Sequence, residues 1–217
     1  MNIDKATGML VGLAIGDALG APLEFQEPRE PQNYLTEYTT GGAHNVSLGE
    51  WTDDTSMALA MAKSLLEKKC FDANDIMNKF LAWYKGVDYS PRGQCFDIGG
   101  TTAIALQSYL QEKVEAEYLL QPYRGRTAKD TSGNGALMRI APVIIIAKDR
   151  YHAIQLAVQQ TLLTHGSNTC VDYSVMLAEE LYHGYPISRY DKYKLPLDIS
   201  REEVMSGGYV KETYQCA

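Results

Sequence analysis

The sequence predicts an all-α fold, a compact multi-helix domain spanning residues 1–217, and three observations lead there. Apolar residues recur at three- and four-residue steps in segment after segment, and loops rich in glycine and proline separate those segments. Only Val143 to Ile146 has the β-branched density of a strand, and it lies inside a longer run that favours helix. With 217 residues, 45% hydrophobic and 22% charged, the chain can bury a sizeable core.

Between Ala6 and Gly20, four glycines (Gly8, Gly12, Gly16 and Gly20) fall at four-residue steps, with Met9, Leu10, Leu13, Ile15 and Leu19 between them. This predicts a buried core helix whose smooth stripe lets another helix approach closely. Each glycine costs roughly 1 kcal/mol relative to alanine, which packing must offset. Pro22, Pro28, Pro31, Gly41 and Gly42 then make the stretch from about residue 21 to 50 an irregular connection, long enough to carry function. A second helix opens at Thr52, with Met57, Met61 and Leu65 on one face. Ile76 to Trp83 is a third and Thr101 to Glu117 a fourth; Gly135 to Lys148, His152 to Thr164 and Ser174 to Tyr182 follow. Val204 to Ala217 begins like a new element and stops without a cap or polar tail, so the polypeptide reads as C-terminally truncated.

Twenty Lys plus Arg against 27 Asp plus Glu give a net charge of −7, too acidic overall to draw the chain to nucleic acid or an anionic membrane. Cys70, Cys95, Cys170 and Cys216 have neither zinc-site nor disulfide-scaffold spacing, which fits a reducing compartment. The start MNIDKATG is not a secretory leader, and no run of about 18 uncharged apolar residues occurs, so a cytoplasmic protein without nucleic-acid or membrane partners is expected.

Five short motifs can carry chemistry. Thr52-Asp53-Asp54-Thr55, after Glu50-Trp51, gathers hard oxygen ligands at a helix start, where Mg²⁺ or Mn²⁺ can be held with water; the alternative is a helix cap with dipole-compensating acids. Glu24, in Gly20-Ala21-Pro22-Leu23-Glu24-Phe25, sits in apolar company that would raise its pKa and suit it to acid–base work, unless it faces solvent. Asp17 reads as a carboxylate bracing a loop. Asp97-Ile98-Gly99-Gly100-Thr101-Thr102 offers backbone N–H groups at a helix start for phosphate oxygens and a carboxylate for a sugar hydroxyl, or else ordinary capping. Thr131-Ser132-Gly133-Asn134-Gly135 adds donors, with Arg139 one turn on. Thr164-His165-Gly166-Ser167 places His165 at a helix C-terminus, where a structural cap or a dipole-stabilised charge is the plain reading. His44, His152 and His183 have no second ligand nearby in sequence and read as ordinary residues. GxGxxG, the P-loop, HExxH and GxSxG are all missing.

In combination, GDALGAPLEF, GEWTDDTSMAL, CFDIGGTTAIAL, SGNGALMRIAP and THGS, in that order from about Ala6 onward, resemble the ADP-ribosylglycohydrolase family, in particular its dinitrogenase reductase-activating members. The resemblance implies an all-helical domain whose loops meet at a two-ion Mg²⁺ or Mn²⁺ site. There the bond between ADP-ribose and a protein side chain or small acceptor is hydrolysed. By the same resemblance Thr52, Asp53 and Asp54 match the first metal-ligand motif, and Glu24, Asp53 and Asp54 are the catalytic candidates. Glu24 matches an acidic loop controlling access, Asp97 a ribose contact, Gly99, Gly100 and Thr101 a diphosphate cradle, and Gly133, Asn134, Gly135 and His165 positions lining the ribose and its phosphate. Family members carry a second metal motif, Gly-Gly-Asp-x-Asp-Thr, near the C-terminus; none occurs here, and Gly207-Gly208-Tyr209-Val210-Lys211-Glu212-Thr213 resembles the stretch before it. The chain is therefore expected to be the larger N-terminal part of a hydrolase acting on an ADP-ribosylated protein or ADP-ribosyl small molecule. The alternatives are a non-catalytic ADP-ribose-binding or structural relative, and a fragment completed by a C-terminal piece; a homo-oligomer is also open.

Overall fold

A computed structural model describes residues 1–27, 29, 31–115, 121–184 and 208–216. Among these, every regular element is a helix and pairing between extended segments is confined to isolated bridges. Helix α1 (Ile3–Gly20) is capped by Asn2, whose side-chain oxygen accepts from the Lys5 N–H at 2.8 Å. A single turn over Ala21–Leu23 follows it, and a loop closed by the backbone pair Gly41 and Val46 leads to α2 (Asp53–Lys68). Lys69, left-handed at φ 59°, ends α2 and turns the chain into α3 (Ala73–Tyr84), which Asp72 caps. Then come α4 (Gly100–Glu115), α5 (Ala141–Ile145), α6 (Arg150–Leu162), α7 (Asn168–His183) and α8 (Val210–Cys216).

The core lies where α2 and α3 pack on α4, α5 and α6. Met57, Met61 and Leu65 of α2, Ile76, Phe80 and Trp83 of α3, Leu106 and Tyr109 of α4, Val143 and Ile144 of α5, and Leu156 of α6 form one buried cluster. Each large side chain there contributes about 1.5–3 kcal/mol of transfer free energy. A smaller cluster, Leu137, Tyr173, Met176, Val210 and Tyr214, seats α8 on α7, with the Tyr214 hydroxyl donating to Glu180 at 2.7 Å.

Two expectations fail. The run from Gly135 to Lys148 is not one helix: residues 135–139 are turns and only Ala141–Ile145 is helical. Pro142 explains this, because it lacks an N–H and its ring would clash with a preceding helical turn, so it starts a helix and cannot continue one. Nor is the glycine stripe of α1 a packing seam among the described residues. Among those residues a Cβ added at Gly8, Gly12, Gly16 or Gly20 would meet nothing within 4 Å, and only Ala18 of this helix is fully buried. α1 instead packs on α2 and α5 by its other side. The segment Ile3–Leu23, mean hydropathy 1.4, has the length and composition to cross a membrane, although Asp17 interrupts it and binds it to α2.

Candidate active site

The N-terminus of α2 is capped across the fold. Thr52 makes no side-chain cap; Asp17, on the last turn but one of α1, does that work. Its carboxylate accepts from the Thr52 and Thr55 backbone N–H groups at 3.0 Å and from their hydroxyls at 2.8 and 2.6 Å. The brace expected of Asp17 is thus a helix cap 35 residues away in sequence. Donating its hydrogen to Asp17 leaves the Thr52 oxygen free to accept or ligate on its other side.

Asp53 and Asp54 follow, with Asp53 buried. Burial pushes the Asp53 carboxyl well above the usual range, and the charges of Asp54, Asp97, Glu24 and Asp17 push it further. Asp54 rises to about 7 from burial, then Asp17 and Asp97. Glu24 rises to about 8, first from burial, then from its interaction with Asp97. Among the described residues no Lys or Arg lies within ion-pair distance of Asp53 or Asp54. Hard carboxylate oxygens whose pKa is pushed up by burial and by neighbouring negative charge, with no Lys or Arg in ion-pair contact among the described residues, are the donor set that divalent Mg²⁺ or Mn²⁺ favours, so Asp53 and Asp54 fit such an ion.

Glu24 and Asp97 meet at His44, whose Nε2 lies 3.2 Å from Glu24 Oε2 and 3.3 Å from Asp97 Oδ1. Sequence reading passed over this histidine, because a lone imidazole in a long loop has no spacing signal. Gly42 (φ 71°) brings the loop to Glu24: a Cβ there would stand 2.5 Å from the Pro22 carbonyl oxygen, so the two backbones meet as only glycine permits. Arg92 clamps Glu50 with two 2.7 Å hydrogen bonds and donates to the His44 and Asn45 carbonyls at 3.0 and 3.2 Å. Its guanidinium also stacks over Phe96, 3.9 Å from the ring centre. Phe25, Asn45 and Asp97 are left-handed at φ 60°, 48° and 50°, so backbone strain gathers at all three arms of this meeting point.

The glycine loops converge beside it. Gly99 and Gly100 lead from Asp97 into α4, and the Thr101 hydroxyl donates to the Thr131 carbonyl at 3.4 Å. A Cβ on Gly135 would lie 2.8 Å from both His165 Cε1 and Thr102 Oγ1, so glycine is required where this loop passes between them. The loop is pinned from behind: Asn134 N–H donates to the Gly208 carbonyl and Val210 N–H to the Ser132 carbonyl, both at 3.0 Å. His165 is neither a cap nor a charged group. It is 1% exposed, and burial, then Arg139, hold its pKa down to about 3. Helix α6 ends at Leu162, and His165 lies in the turn beyond it, which is why the dipole reading fails.

Arg139 is wholly buried. Its N–H groups donate to the Gln160 side chain at 3.2 Å, the Gln160 carbonyl at 3.1 Å and Thr164 Oγ1 at 2.7 Å, and its guanidinium lies over the Phe80 ring at 4.8 Å. Burial lowers its pKa to about 9, against the opposing pull of Asp53. Because Arg139 only donates, Thr164 receives its N–H and passes its own hydrogen to His165 Nδ1 at 2.8 Å. The imidazole hydrogen therefore sits on Nε2, the atom 3.5 Å from where a Gly133 side chain would begin.

The sequence family model described as ADP-ribosylglycohydrolase matches residues 2–187. The chain belongs to the ADP-ribosylglycohydrolase family. It is 33% identical to ADP-ribosylarginine hydrolase Tri1 of Pseudomonas putida over 99% of its own length and 60% of that protein's. It is also 33% identical to the Serratia proteamaculans Tri1, over 100% of this chain and 62% of the relative, and 35% identical to the ADP-ribosyl-[dinitrogen reductase] glycohydrolase of Rhodospirillum rubrum over 65% and 44%. A solved "ADP-ribosylglycohydrolase-related protein complex" superposes with TM-score 0.75 at 30% identity, covering 98% of this chain and 73% of that one. The chain thus spans about 60% of the length of the two Tri1 relatives, and its all-α fold is that of an ADP-ribosylglycohydrolase.

Proposed function

We propose that this chain belongs to a metal-dependent hydrolase that cleaves the glycosidic bond joining ADP-ribose to an arginine side chain. The observation that carries the reading is the adjacency of the uncompensated acids at the start of α2 to the glycine loops through one short segment, Asp97 to Thr102. The arginine acceptor is favoured by the likeness to ADP-ribosylarginine hydrolases along essentially the whole chain.

In this reading the helix start at Gly99, Gly100 and Thr101 and the Gly133–Asn134–Gly135 loop hold the diphosphate and ribose with backbone N–H groups, and His165 donates from Nε2. Thr52, Asp53 and Asp54 would hold Mg²⁺ or Mn²⁺, which when bound would supply polarisation of a water and of ribose hydroxyls. Asp97 accepts from a ribose hydroxyl. Water oxygen bonds to the anomeric carbon as the carbon–nitrogen bond breaks, with the bonding pair leaving on the guanidine nitrogen. Glu24, protonated near neutrality at a pKa of about 8, supplies the proton that nitrogen takes up and, as the resulting carboxylate, takes the proton that the water loses.

The test is release of ADP-ribose from an ADP-ribosylated arginine peptide by the full-length gene product, with Mg²⁺ or Mn²⁺ and after chelation. Metal-dependent release that Asp53→Asn reduces by at least about 100-fold supports the reading. No release under any metal condition, with ADP-ribose still bound in calorimetry, establishes the non-catalytic alternative.

A further inference from the structure

We propose that Glu24, His44 and Asp97 form a mixed nitrogen–oxygen site for a first-row transition ion such as Mn²⁺, Co²⁺ or Zn²⁺, distinct from the all-oxygen ligands of Asp53 and Asp54. The inference goes beyond the proposed hydrolysis and rests on it only in taking the acidic region as a place for cations; an ion here excludes a proton on Glu24 and a ribose hydroxyl on Asp97, so it belongs to the substrate-free protein and leaves when those two residues take up the roles given above.

The geometry is specific. One ligand atom from each of the three residues lies within 4.8 Å of the others. The imidazole nitrogen is 3.2 and 3.3 Å from two carboxylate oxygens. Ligands bound at about 2.0–2.2 Å in tetrahedral or octahedral arrangement stand about 2.8–3.6 Å apart, which brackets both distances. Glu24 Oε2 and His44 Nε2 are buried without a hydrogen-bond partner, and so is Asp97 Oδ2, the oxygen beside the one that faces the imidazole. Three side chains that converge while a buried polar atom of each goes without a hydrogen bond are arranged as ligands are, around something between them.

The imidazole is fixed in place, which a metal ligand requires. Its ring stands edge-on to Phe25 at 6.0 Å and tilted against Phe96 at 6.2 Å, while Arg92 holds the His44 carbonyl. An imidazole nitrogen with two carboxylates selects against Mg²⁺, which demands oxygen and keeps its water, and for borderline transition ions. Glu24 and His44 lie on the long loop and Asp97 precedes α4, so an ion shared by the three would fasten the Glu24 loop to the start of α4.

The test uses the full chain titrated with Mn²⁺ and Co²⁺ in calorimetry and followed by pulsed electron paramagnetic resonance of the Mn²⁺ form. Nitrogen-14 modulation from a coordinated imidazole is expected in the wild type and lost in His44→Phe, which keeps an aromatic ring between Phe25 and Phe96. Co²⁺ affinity is expected to fall at least tenfold in His44→Phe and in a second variant, His44→Gln, while Mg²⁺ affinity stays within twofold. Circular dichroism and urea midpoints establish which variant is folded, and the folded one is scored. Wild-type protein without nitrogen modulation, or a folded His44 variant with unchanged Co²⁺ affinity, overturns the site. Nitrogen modulation in a protein that releases no ADP-ribose would instead refute the hydrolase reading and leave the site standing.

Discussion

The two sides of the site handle buried charge in opposite ways. On the Arg139 side a wholly buried cation is satisfied on the spot, by both oxygens that Gln160 offers, by Thr164 and by the face of Phe80. On the acidic side Glu24, Asp53 and Asp54 crowd together with Asp97, and burial with neighbouring negative charge raises the pKa of those three. The first arrangement is complete and stabilises the fold. The second is finished only by protons or a cation, and so is kept at a cost to stability that a bound ion repays. Asp17 marks the boundary: it lies among the acids, yet its carboxylate is fully engaged by Thr52 and Thr55.

This contrast can be broken by substitution. Arg139→Ala should have the largest effect, about 3–5 kcal/mol of lost stability, because it opens a cavity and strands the Gln160 and Thr164 acceptors together. A fall in the urea midpoint at unchanged slope would register it. Asp17→Ala should cost about 2 kcal/mol by uncapping α2, or roughly 4–8 °C in melting temperature for a chain of this size.

The acidic side should respond to pH instead. Carboxyls whose pKa is raised on folding bind more protons in the native state than in the unfolded one, so they favour the fold at low pH. That advantage fades as pH climbs from about 4, where the unfolded groups ionise, through the folded values of about 7 for Asp54 and about 8 for Glu24. Metal-free protein should therefore lose stability between these limits. Asp54→Asn and Glu24→Gln should each flatten the slope in chemical denaturation across pH, and saturating Mn²⁺ should do the same at its alkaline end. A slope unaltered by both substitutions would erase the distinction between the two sides. The smallest effect belongs to Gly12→Ala on the open face of α1, which should stabilise the isolated chain by about 0.5–1 kcal/mol, read from the melting temperature.

The helices were legible because their apolar periods are local: Met57, Met61 and Leu65 announce α2, and Ile76 to Trp83 announces α3. Pro142 was equally visible but outweighed by the apolar run around it, and so α5 came out too long. For the site, adjacent letters such as Thr52-Asp53-Asp54 and Gly133-Asn134-Gly135 stand out, whereas His44 becomes notable only when Gly42 and Arg92 have folded its loop against Glu24 and Asp97. Nor does sequence show which way the α1 glycines face, since that depends on partners chosen by the whole fold. The neutral state of His165 belongs to the same class, being set by burial and by Arg139 through Thr164.

The cap that Asp17 provides also limits what can be transplanted. Excised as a peptide, α2 would lose the acceptor for its first amides and fray from the end that bears the paired aspartates. Copying the Thr-Asp-Asp-Thr letters onto another scaffold would therefore carry the ligands without their aim, unless a carboxylate from a neighbouring helix travelled with them.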